Sequence, residues 1–227
     1  KMHTMATAKK TKSKKNTVDD NAIISLYMNE VLENNEAPKN AYIFCKNNNI
    51  EESDFYAFFG SLEAVKQDIW VKFFENAVAT IEKEAAFESY TDKNKLLTLY
   101  FTLFEILTLN RSYVMYALKE NHEGLKNLKQ LKEFRNHFKK YIVDKVKSEP
   151  SESFGKVARV TEPVYAEGAW LQFLFLLKFW MDDTSKGFEK TDVLIEKSVN
   201  TVVDLLNTKP LESLFDLGKF LWKEKMQ

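Results

Sequence analysis

The sequence predicts an all-α protein, and three observations lead to that prediction. The 227 residues include only six glycines and four prolines, so long stretches lack the residues that break helices. Apolar residues recur three or four positions apart through most of the chain, which is the spacing of one helix face. No segment shows the alternating apolar and polar pattern of a half-buried strand.

The chain is predicted to have three parts. Residues 1–18 form a basic tail that holds six lysines and no acidic residue, a composition typical of disorder. A helix-turn-helix-like domain is expected over 19–60 and a larger helical domain over 61–227. The total charge is balanced, with 33 basic and 33 acidic residues, but residues 19–70 carry ten acids against three lysines, a net charge of −7.

Three helices are predicted in the first domain. Asp19 or Asp20 is expected to cap a helix that ends near Asn34, and Pro38 is expected to open a short second helix. The turn that follows has three asparagines, which tolerate the left-handed conformation, and the third helix is predicted over Glu52–Phe58. These helices are expected to enclose a small core of Phe44, Ile50, Phe55, Tyr56 and Phe59.

The larger domain is predicted to be helical throughout. Ser61 is expected to cap a long helix that runs to Phe87. The helices predicted after it are Asp92–Leu109, Tyr113–Lys119, Leu125–Ile142, Pro163–Met181, Phe188–Leu206 and Leu211–Glu224. The most apolar run, 168–181, is 14 residues long and contains Lys178, so it is too short to cross a bilayer. A soluble protein is therefore expected.

A family resemblance appears at residues 23–70. Tyr56-Ala57-Phe58-Phe59, followed by Ser61 and Glu63-Ala64-Val65, is similar to the Tyr-x-aromatic-Phe-x-Ser-Lys-Glu-x-Leu signature of the tetracycline-repressor (TetR) family. The order of three short helices before a long one resembles that family as well. The resemblance implies a three-helix helix-turn-helix head, followed by a helical body that binds a ligand and forms dimers.

The same resemblance raises the question of DNA binding. It places the DNA-contact candidates at Lys39, Asn40, Ser53, Tyr56 and Ser61. Protein–DNA affinity depends largely on lysines and arginines that neutralise phosphates, yet Glu51, Glu52 and Asp54 lie at the start of the recognition helix. Weakened or lost DNA binding is therefore predicted. The alternative is a working, ligand-responsive transcriptional regulator that still binds an operator.

A second resemblance lies near the other end of the chain. Residues 179–192, FWMDDTSKGFEKTD, are similar to the Tyr-Trp-x-x-Asp-x-Ser-x-Gly-Phe-x-x-Thr pattern of the TetR-like ubiquinone-biosynthesis proteins. Those proteins bind isoprenoid lipids instead of DNA. The segment also has a plain structural interpretation, in which Asp182 or Asp183 caps a tight turn and Thr191 or Asp192 caps the next helix.

The resemblance implies a ligand cavity in the body, and the aromatic residues there are candidates to line it. The chain has 18 Phe, 9 Tyr and 4 Trp, and aromatic and aliphatic side chains line most small-molecule pockets. The pocket candidates are Leu99, Tyr100, Leu103, Phe104, Leu107, Trp170, Phe173, Leu174, Leu177 and Trp180. The alternative for each of them is an ordinary place in the core. The favoured hypothesis is thus a homodimer that binds an apolar or lipid-like molecule.

The resemblance also implies where partners bind. A homodimer is expected to form through the helices at about 163–181 and 188–206. The amphipathic last helix is predicted to pack on the body, or else to lie on a membrane surface. The second possibility gives a third hypothesis, an accessory protein of lipid or quinone metabolism.

Catalysis, metals and cofactors are not predicted. His3, His122 and His137 lie too far apart for the i, i+4 spacing of a helical metal pair. The single cysteine, Cys45, lies in an apolar row without a paired histidine. A single cysteine also excludes an internal disulfide, and the lack of disulfides is typical of proteins of the reducing cytoplasm. A cytoplasmic protein that is not an enzyme is expected.

Overall fold

A computed structural model of the chain describes residues 18–120, 124–146 and 158–206. The helices are α1 Asp20–Asn34, α2 Ala41–Asn47, α3 Glu52–Tyr56, α4 Leu62–Ile81, α5 Asp92–Leu109, α6 Arg111–Lys119, α7 Gly124–Asn127, α8 Lys132–Tyr141, α9 Ala158–Asp182 and α10 Glu189–Leu206. Every regular element of the described residues is helical, which confirms the predicted fold class. The predicted last helix and nearly all of the basic tail lie outside the described residues.

The chain divides into two compact units, Lys1–Val65 and Lys66–Gln227. We call the first unit the head and the second the body. The predicted functional division at residues 60 and 61 stays a prediction.

The core of the head is a chain of aromatic rings. The Tyr27 and Phe44 rings lie 6.0 Å apart edge to face, and the Phe44 and Phe55 rings lie 5.9 Å apart in the same way. Such pairs add about 0.5–1.5 kcal/mol each beyond the burial of their surface. Tyr56 was predicted in this core, but it is 53% exposed. That part of the prediction is wrong because α3 turns only its Phe55 face towards α1 and α2.

A buried carboxylate ties α1 to the turn after α2. Glu30 is only 8% exposed, and its two oxygens accept hydrogen bonds from the side-chain amides of Asn47 at 2.8 Å and Asn48 at 2.5 Å. The third asparagine of the turn, Asn49, has the left-handed φ of 55° that the sequence predicted for this turn. Glu30 therefore stabilises the head from inside and is not part of its acidic surface.

Helix α4 is shorter than predicted. It ends at Ile81 and not at Phe87, which instead lies in a 3₁₀ turn and is 3% exposed. The four-residue row of apolar side chains that ends at Ile81 continues only with Ala85, whose small side chain gains little from burial. The chain turns so that the larger Phe87 ring is buried against Tyr90, 6.0 Å away.

The helix predicted over Leu125–Ile142 is broken into several pieces. Helix α7 is followed by a 3₁₀ turn, Leu128–Leu131, then by α8 and a π turn, Ile142–Val146. The break has a polar cause. The buried amides of Asn127 and Gln130 donate to the Leu118 and Ala117 carbonyls at the end of α6, at 2.8 and 2.9 Å, where a helix leaves its carbonyls without partners.

Other helix ends also differ from the predictions. Helix α2 is capped by Asn40, whose side-chain oxygen accepts from the Ile43 N–H at 2.9 Å, and does not start at Pro38. Helix α9 begins at Ala158, five residues before the predicted Pro163, and accommodates that proline at the cost of one backbone hydrogen bond. Helix α3 ends two residues early, and α6 begins two residues early, at Arg111.

Candidate functional site

The start of α3 is an acidic surface. Glu51 and Glu52 are exposed and Asp54 is half-buried, and Glu52 and Asp54 lie in the first turn of the helix. Carboxylates there interact favourably with the positive end of the helix dipole. The same charges repel a polyanion such as DNA.

The five DNA-contact candidates all lie on the surface of the head: Lys39, Asn40, Ser53, Tyr56 and Ser61 are exposed. Two of them have structural roles. Asn40 caps α2, and the hydroxyl of Ser61 accepts from the Ala64 N–H at 3.1 Å, which confirms its predicted role as the cap of α4. The Asn40 amide and the Ser61 hydroxyl still have N–H and O–H donors for a phosphate. Lys39 is the only cation among the candidates.

The pocket candidates come together where α5 meets α9. The Phe104 ring lies 5.9 Å from Phe173 and 6.1 Å from Trp180. Nine of the ten candidates are buried and Leu174 is half-buried. The rings are closely packed, so this region forms part of the hydrophobic core of the body.

Helices α8 and α4 also contribute to this region, which the sequence did not predict. Phe134 and Phe138 of α8 lie 5.1 and 5.8 Å from Phe173. Trp70 of α4 stacks on Phe134 at 6.2 Å, and its indole N–H donates to Gln130 at 2.9 Å. The only feature of the sequence that indicated this role was the position of these aromatic residues in apolar rows. We call the rings of Trp70, Tyr100, Phe104, Phe134, Phe138, Trp170, Phe173 and Trp180 the aromatic cluster.

Polar groups are buried beside the aromatic cluster. The Tyr100 hydroxyl donates to the Ala169 carbonyl at 2.8 Å and lies 3.3 Å from the Gln172 side-chain oxygen. The Gln172 amide donates to the Ser198 hydroxyl at 3.0 Å, which links α9 to α10. Burial, with a smaller effect of the nearby Tyr165, raises the pKa of Tyr100 well above its usual range, so this phenol stays neutral.

The turn between α9 and α10 is organised by Asp183. This buried carboxylate accepts from the N–H and hydroxyl of Ser185 at 2.8 and 2.7 Å, and from those of Thr191 at 3.0 and 2.7 Å. Burial alone would raise its pKa, but these four hydrogen bonds hold the pKa well below its usual range. Of the two predicted capping residues, Asp183 takes the role, while Asp182 is exposed and pairs with Lys178 at 2.5 Å.

Arg111 fixes the other side of the same turn. Its guanidinium lies between the rings of Trp180 and Phe188, 4.3 and 4.4 Å from their centres. It also donates to the Trp180, Met181 and Asp183 carbonyls, at 3.0 to 3.3 Å. Phe188 has a left-handed φ of 61°, which is unfavourable for a bulky residue. The contacts of its ring with Arg111 and Trp180 offset that cost.

The outer face of α9 carries an exposed apolar stripe. Leu171, Phe175 and Phe179 recur four residues apart and are 64%, 57% and 37% exposed. On α10, Val193 is also exposed. A contiguous row of large apolar side chains on a helix surface is typical of a protein–protein interface.

Two features are not found among the described residues, a metal-binding cluster and a membrane-spanning helix. No group of three or more His, Cys, Asp and Glu side chains lies together there as a metal ion would need. None of the helices in those ranges has the length and apolar character to span a bilayer. Burial and the Glu52 carboxylate raise the pKa of the Cys45 thiol, so it is a poor nucleophile.

A comparison with known families places the chain. The family model described as tetracyclin repressor-like, C-terminal domain, matches residues 95–221, more than half of the sequence. The chain belongs to the TetR family. The match covers the body, whereas the sequence signature lay in the head, so the two lines of support are independent. No curated protein matches the chain.

The helices of the head and the body correspond to the two parts of a TetR-like fold. The three helices of the head form the helix-turn-helix part of a TetR-like fold, and α5–α10 belong to its C-terminal body. The match supports a TetR-family regulator, and such proteins commonly dimerise and bind small molecules. The similarity to ubiquinone-biosynthesis proteins stays a prediction, since the turn at 182–191 has a complete structural explanation in this TetR body.

Replacing Asp183 tests that structural explanation. We expect Asp183→Asn to lower the free energy of unfolding by about 2 kcal/mol, since charge-assisted hydrogen bonds become neutral ones or are lost. The control, Asp182→Asn, removes the same charge one residue away and should change little. Urea unfolding followed by circular dichroism measures both.

The pH dependence of stability gives a second test of the role of Asp183. The pKa of Asp183 is lower in the folded than in the unfolded chain, so its contribution is complete above the unfolded pKa of about 3.9 and falls as the pH drops below it. Wild type and Asp182→Asn should therefore lose more stability than Asp183→Asn between about pH 5 and pH 3. Equal losses in all three proteins would contradict the role of Asp183.

Proposed function

We propose that this TetR-family protein is a cytoplasmic homodimer that binds an apolar or lipid-like small molecule in its body and has weakened DNA binding. The observation that carries the proposal is the aromatic cluster. It brings rings from α4, α5, α8 and α9 together around buried hydroxyl and amide groups. Apolar walls with a few convergent polar groups are the usual composition of a small-molecule site.

The acidic start of α3 supports the weakened DNA binding. Two exposed carboxylates and a third, half-buried one occupy the turn that would approach the phosphates. Affinity for DNA normally comes from lysines and arginines that displace the counterions of the phosphates. A carboxylate near the duplex displaces none and repels the phosphates. Among the described residues of the head, two lysines, at positions 39 and 46, oppose nine acidic residues, of which only Glu30 is buried.

A working transcriptional regulator is the second candidate function. It is favoured by the exposure of Lys39, Ser53, Tyr56 and Ser61, which a DNA-binding head requires. A membrane-surface role through the last helix is a third hypothesis, and that helix lies outside the described residues.

The apolar stripe of α9 supports the homodimer. A helix that presents Leu171, Phe175 and Phe179 to water loses a favourable burial of about 25 cal/mol per Å². Two copies that pair α9 and α10 with α9 and α10 of the partner would cover both stripes in one symmetric interface.

The ligand is tested by what the protein carries after purification. Native mass spectrometry of the full chain, purified without detergent, should show a dimer with added mass from an apolar molecule, which solvent extraction then releases for identification. Repeated spectra of an empty dimer would contradict the proposed ligand.

The dimer is tested with a charge on the stripe. Phe175→Lys places an ammonium group in the proposed interface, and we expect it to convert the dimer to a monomer because an unpaired buried charge costs several kcal/mol. Phe101→Lys is the matched control, since Phe101 is an exposed phenylalanine of α5 outside the stripe. Sedimentation equilibrium measures both variants. A Phe175→Lys dimer as tight as that of Phe101→Lys would contradict the proposed interface.

A further inference from the structure

Tyr165 of α9 has a buried hydroxyl that makes no hydrogen bond to any described residue. Leaving such a donor unsatisfied destabilises the folded state, and unsatisfied buried groups are rare enough in folded proteins to need an explanation. Burial, with a smaller effect of Asp92, raises the pKa of Tyr165 to about 12. The group is therefore a neutral phenol with a proton to donate.

A connected polar set lies one to two helical turns along α9 from Tyr165. Tyr100, one helix away on α5, donates its own proton to the Ala169 carbonyl at 2.8 Å, so its oxygen keeps lone pairs that accept. Gln172 and Ser198 continue the set towards α10. Tyr165 thus offers an O–H donor one helical turn from Ala169, the residue to which Tyr100 bonds, and Tyr100 offers an oxygen acceptor.

A second tyrosine shows that an unsatisfied hydroxyl alone is not enough. Tyr141, at the end of α8, also has a buried hydroxyl without a partner among the described residues. The groups that raise its pKa, after burial itself, are the carboxylates of Glu82 and Glu88. In the part of the chain that the structure describes, no hydrogen-bonded tyrosine or glutamine accompanies Tyr141, so it lacks the donor and acceptor of Tyr165 and Tyr100.

We propose that Tyr165 and Tyr100 bind the neutral oxygen of the apolar ligand, a hydroxyl or carbonyl group, while the aromatic cluster contacts its hydrocarbon part. The inference rests on the proposed function, since it specifies the ligand of the same body. A hydroxyl accepts from Tyr165 and donates to Tyr100, and a carbonyl accepts from Tyr165 alone. A carboxylate fits poorly because none of the side chains of Tyr165, Tyr100, Gln172 and Ser198 is a cation, so its charge would be buried without a partner from this set.

The test compares three probes of equal chain length: n-octane, 1-octanol and octanoate at pH 8. Calorimetric titration into the full chain gives the dissociation constant of each probe. In wild type, n-octane and 1-octanol should bind, and octanoate should bind more weakly than 1-octanol. Tyr165→Phe removes only the hydroxyl and should weaken 1-octanol about fivefold to tenfold, with no change for n-octane. Tyr141→Phe is the matched control and should change neither.

The outcomes separate this inference from the function on which it rests. If neither n-octane nor 1-octanol binds wild type, the apolar-ligand function itself fails. If both bind but Tyr165→Phe affects them equally, or affects neither, the function stands and the role of Tyr165 is overturned. Octanoate binding more tightly than 1-octanol would overturn the neutral-oxygen assignment.

Stability of the ligand-free variants provides a second readout. Tyr165→Phe should melt at the same temperature as wild type or higher, because the change removes an unsatisfied polar group. A clear drop in melting temperature would show that the hydroxyl already has a partner within the protein, and this too would overturn the inference.

Discussion

The arrangement of the body depends on the guanidinium of Arg111. It is held between two aromatic rings and bonded to the last carbonyls of α9. A planar cation satisfies those carbonyls and stacks on both rings at once, which a lysine would not do. Because Arg111 begins α6 directly after α5, it fixes the end of α5 to the turn between α9 and α10. The position of the aromatic cluster along α5 and α9 follows from that contact.

The head shows how a fold and its usual function depend on different side chains. The fold rests on the buried rings of Tyr27, Phe44 and Phe55 and on the internal carboxylate of Glu30. DNA binding depends instead on the charges of the exposed surface. Surface residues change without a large effect on stability, so a head of this family can keep its three helices while its affinity for phosphates declines.

The sequence predicted the features that are local and failed where distant residues interact. The cap at Ser61 and the span of α5 were correct because each depends on residues a few positions apart. The break before α8 was missed because Asn127 and Gln130 bond to carbonyls 9 and 13 residues away, at the end of α6. Glu30 was counted as surface charge because its asparagine partners lie 17 and 18 residues away. In the candidate site, the rings of α5 and α9 were predicted. The contribution of α8 was not, and neither were the hydrogen bonds that link Tyr100 to Ser198 through Gln172.

We propose that this TetR-family protein retains a ligand-binding body while its head has weakened affinity for DNA. The most direct test is a fluorescence titration of a labelled random duplex with the full chain at low salt. We predict that wild type binds no tighter than about micromolar, that Glu51→Lys with Glu52→Lys increases affinity, and that the matched pair Glu33→Lys with Glu36→Lys does so much less. Wild-type binding clearly tighter than micromolar, with a steep fall in affinity as salt rises, would contradict the claim.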